Sequence, residues 1–287
     1  MTDVIQGLQL FLNLATRPGD GIILQEPNYR PFRSAVPTMG RRPVHLHVLP
    51  DHDSWRMDVE RLENDLSIQP ARVLLLVNPH NPTGRVWRRD ELQVLANLAE
   101  RRDLLVISDE IHSDLVYTPA AHIPFASLGP DVEARKVTLT SATKAFNIAG
   151  LRTAVAHIGP SWLRERWDAE PPDLYGVAGV LGVEATRAAW TEGDPWLAGA
   201  MNQLRRNRDQ LVAGLSDLDG LLCRPRRPPT SPGSTAPDPY PTPTPLRTCA
   251  SVHTSTRAPV LTTAATRPGR ESISPPRAPS WTTSFGE

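Results

Sequence analysis

The chain has 287 residues, of which 39% are hydrophobic, and its 31 basic and 31 acidic residues give a formal net charge of zero. This balance gives no electrostatic reason to expect a nucleic acid or a membrane surface as partner, so the sequence favours a small-molecule partner. The two cysteines, Cys223 and Cys249, provide neither a disulfide framework nor a zinc-binding spacing. Since neither a signal segment nor an apolar run of membrane length is evident, we expect a cytoplasmic protein.

Between residues 21 and 158, short apolar and β-branched runs alternate with amphipathic stretches. Several runs are apolar throughout, as strands are when helices cover both faces. Residues 88–103 lie between two runs and place leucine and alanine at helical spacing behind Asp90 and Glu91. This succession of strand, helix and strand predicts an α/β fold with a mainly parallel sheet. The predicted strands are residues 21–25, 43–48, 72–77, 104–108, 136–140 and 153–158.

After Gly159 the pattern becomes helical. We predict one helix over residues 161–170 with Ser161 as its N-cap, and a second over residues 174–190. A third, separated from the second by a Gly-Asp pair, covers about residues 194–218 and leads toward a second domain. From Arg224 the chain is dense in Pro, Thr, Ser and Arg without periodicity, which predicts disorder because too few apolar residues remain to offset the entropy lost on ordering.

Polar residues gather in three loops that each follow a predicted strand. Asn81 lies in NPHNPTGRVW, Asp109 and His112 lie in SDEIHSDLVY, and Lys144 lies in SATKAFNIAGLRTA. Open α/β sheets bind ligands beyond the carboxyl ends of their strands, so we expect these loops to meet at one site. Taken singly, the four residues also fit a turn, a helix N-cap, a packing histidine and a surface lysine. A metal site that adds Glu110 to Asp109 and His112 lacks a recognised ligand spacing, so no metal is expected.

Lys144 is unusual because the chain contains only two lysines and otherwise uses arginine. A lysine amine forms Schiff bases with carbonyl compounds when burial or nearby positive charge keeps it partly deprotonated. Ser141 and Arg152 flank it and are suited to binding a phosphate. Asp109, at the end of a buried strand, needs a cation such as a protonated ring nitrogen. Together these residues describe a pocket for pyridoxal 5′-phosphate (PLP).

The three motifs, in this order and at these separations, resemble those of the fold-type I PLP-dependent enzymes of the class I and II aminotransferase superfamily. The histidine of NPHNPTG, the GRVW after it and the DEIHSDL stretch are most similar to the cystathionine β-lyase-like C–S lyases, the MalY/PatB group. The resemblance covers roughly residues 7–223. It implies the three-layer, mainly parallel α/β large domain of these transferases, a remnant of the small C-terminal domain, an amino-acid substrate and a homodimer.

The resemblance also implies a role for each residue near the reactive lysine. Lys144 is the residue that forms the covalent imine with the cofactor and is the predicted catalytic residue. Ser141 and Arg152 bind the cofactor phosphate.

Four further residues are implied to contact the cofactor ring. Asp109 pairs with the pyridine nitrogen, and His112 lies near the 3′-oxygen. Asn81 hydrogen-bonds that oxygen. Tyr29, in EPNYRPF, matches the aromatic residue that stacks on the ring.

The chain departs from the family pattern at both ends. The family has a longer N-terminal segment, and its loop that donates backbone N–H groups to the phosphate is represented here by TDVIQG, in which Asp3 replaces a glycine and would repel a phosphate. We therefore expect an N-terminal truncation. After Cys223 the family continues into a small domain with a carboxylate-binding arginine, whereas this composition predicts a shifted reading frame from about Arg224. The expected organisation is a PLP-binding large domain over residues 1–193, an interdomain helix over residues 194–223 and a disordered tail over residues 224–287.

The expected function is a PLP-dependent C–S β-lyase that converts cystathionine-like or cysteine-conjugate amino acids to thiol, pyruvate and ammonia. Asp109 would keep the ring nitrogen protonated and so make the ring an electron sink, while Lys144 would move the Cα proton. These residues leave open an aminotransferase, and the departures at both ends leave open a catalytically inactive fragment that keeps the cofactor pocket. A dinucleotide-binding domain is disfavoured because no G-x-G-x-x-G follows a predicted strand.

Overall fold

The computed structural model describes residues 1–52, 54–171 and 174–216. All of these residues belong to one unit, Met1–Val252. The predicted tail and the last residues of the predicted interdomain helix lie outside the described ranges. The described strands are Gly21–Glu26 (β1), Arg42–Asp51 (β2), Ser54–Met57 (β3), Val73–Val77 (β4), Leu105–Asp109 (β5), Lys136–Thr140 (β6) and Val155–Ile158 (β7). The described α-helices are Val4–Ala15 (α1), Arg30–Thr38 (α2), Val59–Ile68 (α3), Arg89–Arg101 (α4), Pro130–Glu133 (α5), Ala142–Ala145 (α6), Ser161–Asp168 (α7), Val180–Glu192 (α8) and Asp194–Ser216 (α9).

The seven strands form one sheet in the order β3-β2-β1-β4-β5-β6-β7. The five inner strands are parallel to one another, and β3 and β7 run antiparallel at the two edges. All six strands predicted from the sequence are present, which confirms the α/β class and the mainly parallel sheet. The prediction missed β3, because its four residues, SWRM, alternate between polar and apolar over too short a run to stand out as a strand.

Helices cover both faces of the sheet, and the side chains of β4 show how the strands serve both layers. Val73, Leu75 and Val77 pack into one core with residues of α1, α2 and α7, whereas Leu74 and Leu76 pack into the other with residues of α3 and α4. Successive side chains of a strand point to opposite faces, so a strand between two helical layers must be apolar at every position. This accounts for the continuous VLLLV run and gives the three-layer architecture.

Two details of the predicted helices are wrong. Ser161 is the first helical residue of α7 and not its N-cap, since the Pro160 carbonyl accepts the N–H groups of Leu163 and Arg164, both at 3.2 Å. The predicted helix over residues 174–190 begins only at Val180. Gly176, with φ of 71°, adopts a left-handed backbone that interrupts the helix.

The last described helix, α9, lies over the loops that follow β5 and β6. The Trp196 ring stacks on Phe146 with 5.7 Å between centroids, and the Arg208 guanidinium lies over Tyr117 at 4.6 Å. Both contacts are made near the loops on which the predicted site residues lie. Among the helices of the described ranges, none has the length and apolar character needed to cross a membrane.

Candidate active site

The predicted site residues follow neighbouring strands at one edge of the sheet. Because β1, β4, β5 and β6 are adjacent and parallel, their carboxyl ends meet there. Tyr29 follows β1 and Asn81 follows β4. Asp109 is the last residue of β5, and Lys144 follows β6. Arg152 reaches the same edge because antiparallel β7, which begins three residues later, starts beside the end of β6.

Asp109 is buried, with 4% of its surface exposed, and its Oδ1 accepts the N–H of Ile111 at 3.1 Å. Burial raises the pKa of Asp109 to about 7; the Glu110 charge also raises it, whereas the Ile111 hydrogen bond and the Lys144 charge lower it. A carboxylate in this position is costly unless a cation meets it. The site can therefore accept a protonated ring nitrogen at Asp109, with the Lys144 amine close enough to affect the carboxylate.

Behind Asp109 lies a buried polar cluster that sequence reasoning missed. Oε1 of Glu110 accepts from the Ser108 hydroxyl at 2.8 Å and from the Phe125 N–H at 3.1 Å, and Oε2 lies 3.0 Å from Nε2 of His122. Nζ of Lys136, a residue with 1% exposure, lies 3.9 Å from Oε1. Burial alone would raise the pKa of Glu110, but its partners His122 and Lys136 outweigh that effect and lower it. The signal was Lys136, the only other lysine in the chain, at the start of an otherwise apolar strand.

Ser141 fixes the short helix α6 that carries Lys144. Its Oγ accepts the N–H of Thr143 at 3.1 Å and donates to the carbonyl of Thr153 at 2.5 Å. The same oxygen lies 2.7 Å from the Thr143 hydroxyl. These bonds join α6 to the segment that contains Arg152, while the Lys144 side chain stays exposed.

Arg152 is paired with Asp3. The arginine has a left-handed backbone with φ of 46°, and its Nη2 lies 2.6 Å from Oδ2 of Asp3. Asp3 is also the N-cap of α1, because its Oδ1 accepts the N–H of Gln6 at 2.7 Å. The arginine predicted to bind a phosphate and the aspartate expected to repel it are therefore ion-paired with each other.

The loop that carries Asn81 is held by its neighbours. The Asn78 side chain accepts the N–H of Trp87 at 3.2 Å, and Nδ1 of His80 lies 2.8 Å from the Thr83 hydroxyl. Burial lowers the pKa of His80 to about 3, so this histidine is neutral at physiological pH. Asn81 itself is half-buried at the tip of this braced loop.

Tyr29 and His112 lie at the same edge, after β1 and after β5. Tyr29 is 41% exposed, and its ring meets Phe32 edge-on with 5.6 Å between centroids. His112 is half-buried three residues after Asp109. Tyr29 thus presents an accessible aromatic face beyond β1.

The described residues fit PLP at its ring and its aldehyde. Asp109 offers a buried carboxylate that needs a cation, and Lys144 offers an exposed primary amine. Arg152 offers a guanidinium for the phosphate, although one of its nitrogens already contacts Asp3. Within the described ranges, no group of three or more His, Cys, Asp or Glu side chains is arranged to hold a metal ion.

Comparisons with known proteins agree with this chemistry. The model of the family described as aminotransferase class I and II matches residues 3–227. Cystathionine β-lyase PatB of Bacillus subtilis is 37% identical over 215 residues, covering 74% of this chain and 55% of PatB. The probable N-succinyldiaminopimelate aminotransferase DapC of Mycobacterium tuberculosis is 34% identical over 201 residues, covering 70% of this chain and 50% of DapC.

Solved structures show the same likeness. Cystalysin from Treponema denticola, whose crystal structure contains a PLP cofactor, superposes with a TM-score of 0.72 at 29% identity, covering 75% of this chain and 55% of cystalysin. The chain spans about half the length of the curated relatives it matches. The family match, the relatives and the fold agree, and the chain belongs to the class I and II aminotransferase family of PLP-dependent enzymes.

Proposed function

We propose that this chain carries the cofactor-binding part of a PLP-dependent C–S β-lyase that acts on cystathionine-like or cysteine-conjugate amino acids. The observation that carries the proposal is the buried Asp109 carboxylate. Burial raises its pKa to about 7, and the charge of Lys144 acts in the opposite direction. A buried acid that needs a cation, set beside an available amine, is what PLP chemistry requires. The substrate class is supported by PatB, which is named a cystathionine β-lyase.

PLP, when bound, supplies an electron sink that stabilises negative charge at the substrate Cα. Asp109 would keep a proton on the ring nitrogen, since a buried carboxylate favours a neighbouring cation. Nζ of Lys144 would hold the cofactor covalently, and the Lys144 amine, once the substrate amine has released it from that bond, would accept the proton from the substrate Cα. Loss of the thiol from Cβ leaves products that hydrolyse to pyruvate and ammonia.

The remaining predicted residues position the cofactor in this proposal. Tyr29 would cover one face of the ring, and Asn81 and His112 would contact its 3′-oxygen. Ser141 and Arg152 would hold the phosphate, for which the guanidinium fork is well suited. A ring fixed at its nitrogen, its phosphate and one face keeps the substrate Cα within reach of Lys144.

An aminotransferase is the second candidate, and the similarity to DapC supports it. Both reactions begin with removal of the Cα proton, so the same Asp109 and Lys144 serve either. They differ in outcome, because the lyase releases pyruvate from cystathionine without a second substrate, whereas the aminotransferase needs a 2-oxo acid. A chain that binds PLP and performs neither reaction would be an inactive fragment of the enzyme.

The wider organisation follows the same proposal. Residues 1–193 form the cofactor-binding domain, and residues 194–223 lead toward a second domain. The protein acts in the cytoplasm as a homodimer. Size-exclusion chromatography coupled to light scattering, with and without PLP, tests the dimer.

Binding of PLP is tested by its visible absorption and by chemical trapping. Borohydride reduction of the protein with PLP fixes the covalent bond, and peptide mass spectrometry locates it. The chain contains only two lysines, so attachment is expected at Lys144 and not at buried Lys136. Lys144→Ala and Lys144→Arg are expected to abolish both signals, because arginine keeps the charge but forms no Schiff base. Attachment at Lys136, or a wild-type protein without the absorption, would contradict the proposal.

Catalysis is tested separately by pyruvate release from cystathionine, with and without an added 2-oxo acid. Release that needs no acceptor and is lost in Lys144→Arg supports the lyase. Activity that appears only with the acceptor supports the aminotransferase.

A further inference from the structure

We propose that Asp3 is an internal competitor for the phosphate-binding site, so that this chain discriminates weakly between PLP and its unphosphorylated analogue pyridoxal. The inference rests on the proposed function, because it concerns the phosphate end of that cofactor. It assigns a specificity-determining role to a residue that makes no contribution to the chemistry at Lys144.

The Asp3 carboxylate uses both kinds of donor that an incoming phosphate would use. Its Oδ2 accepts a hydrogen bond from Nη2 of Arg152 at 2.6 Å, and its Oδ1 accepts one from the N–H of Gln6 at 2.7 Å. The Gln6 N–H belongs to the first turn of α1, a helix of 12 residues, and the N-terminus of a helix favours an anion. Two independent anion-binding groups therefore converge on a carboxylate that the chain itself supplies.

The segment around Asp3 is fixed by hydrogen bonds on both sides, so the carboxylate is held in place. The Met1 carbonyl accepts the N–H of Ala154 at 3.0 Å. Oε1 of Gln6 accepts from the N–H and the hydroxyl of Thr2 at 2.8 and 3.0 Å, and Nε2 of Gln6 donates to the carbonyl of Tyr175 at 2.8 Å. An anion that binds at Arg152 must share the guanidinium with Asp3 or displace it.

The Ser141 hydroxyl, the other predicted phosphate ligand, also has a hydrogen-bond partner within the chain. Its single proton goes to the Thr153 carbonyl at 2.5 Å, one residue beyond Arg152. A hydroxyl has one O–H donor, so Ser141 can donate to a phosphate only by giving up that bond. The affinity of the site for a phosphate thus depends chiefly on Arg152 and on how strongly Asp3 competes for it.

The test compares the full chain with Asp3→Asn, which removes the charge and keeps a residue equally able to cap a helix. Asp58→Asn is the matched control, because Asp58 is also a helix N-cap and accepts the Arg61 N–H at 3.4 Å. Its helix, α3, packs near the opposite edge of the sheet, far from Arg152. Each protein is titrated with PLP and with pyridoxal, followed by visible absorption. Inorganic phosphate is titrated into the same proteins by calorimetry, a measurement that does not need Lys144.

Asp3→Asn is expected to tighten PLP and phosphate binding about tenfold, a change of about 1.4 kcal/mol, because a carboxylate and a phosphate in contact repel at this scale even in a high dielectric. Pyridoxal affinity is expected to stay within twofold, and Asp58→Asn is expected to change none of the three affinities. A gain of less than threefold for PLP and phosphate, or an equal gain for pyridoxal, overturns the inference. Weaker PLP binding in Asp3→Asn also overturns it, since Asp3 would then orient Arg152 for the phosphate. If no protein absorbs with either aldehyde but phosphate binds more tightly to Asp3→Asn, the competition of Asp3 for an anion at Arg152 stands, whereas the proposed function and the discrimination between PLP and pyridoxal fail.

Discussion

Asp109→Asn is expected to change how the stability of the cofactor-free protein depends on pH. Burial raises the pKa of Asp109 from 3.8 to about 7, so the folded state holds a proton that the unfolded state has already lost between these values. The free energy of unfolding therefore falls as the pH rises through this window and becomes level above about pH 7. Asparagine does not titrate and can still accept the Ile111 N–H, so the variant lacks this fall.

The size of the effect follows from the shift. One pKa unit corresponds to about 1.4 kcal/mol, so the two units between pH 5 and the folded pKa cost the wild type roughly 3 kcal/mol by pH 8. The free energy of unfolding of Asp109→Asn, relative to wild type, is expected to rise by roughly that amount between pH 5 and pH 8. Urea unfolding followed by tryptophan fluorescence at each pH measures it. Parallel pH profiles for the two proteins would refute the reasoning.

The same substitution has the opposite consequence when PLP is added. A protonated ring nitrogen would pair with the ionised Asp109 and recover part of the lost stability, whereas the asparagine side chain of the variant offers no charge to that nitrogen. Saturating PLP at pH 8 is therefore expected to stabilise the wild type more than the variant. Equal stabilisation of the two proteins by PLP would mean that the ring nitrogen does not pair with Asp109.

Two further substitutions test the supports of the site. Lys136→Met is expected to lower the free energy of unfolding in urea by about 3 kcal/mol, because it removes the buried partner that lies 3.9 Å from Glu110. Arg61→Met breaks an exposed ion pair and is expected to cost less than about 1 kcal/mol. Equal losses would contradict this reasoning. Gly182→Ala is expected to cost about 1–3 kcal/mol by the same assay, because the new methyl group would lie 2.0 Å from the Thr153 hydroxyl. A methyl group at Gly199 in α9 would meet open space, so Gly199→Ala is expected to be neutral or stabilising. An unchanged free energy of unfolding in Gly182→Ala would show that α8 does not pack closely against the segment that contains Arg152.

The sequence predicted the strands well because the sheet buries both of its faces. Runs such as VLLLV and LVISD are apolar or small at nearly every position, a pattern that few other structures require. The placement of Asp109 and Lys144 at one edge then followed from the rule that parallel strands end together. The edge strand β3 was missed for the converse reason, because its residues are partly exposed and carry no such pattern.

Contacts between distant residues could not be predicted in this way. That Asp3 meets Arg152 depends on where the N-terminus of α1 comes to lie against the segment before β7, a separation of 149 residues. The burial of Lys136 against Glu110 depends likewise on the pairing of β5 with β6. Local patterns fix the type and order of elements, whereas partners of single charged side chains depend on the tertiary packing between elements.

The two aspartates of the site place opposite demands on a cofactor. Asp109 is buried at the end of a strand, and its ionised carboxylate destabilises the folded protein until a cation pairs with it. Binding of a protonated ring removes this destabilisation and is favoured for that reason. Asp3 is 39% exposed and already has its cation in Arg152, so a phosphate must compete with an existing pair. Their partners differ, so the effects of Asp109→Asn and Asp3→Asn on PLP affinity are expected to be opposite in sign and close to additive in the double variant. A strongly non-additive result would mean that the ring and phosphate ends are bound as one coupled unit.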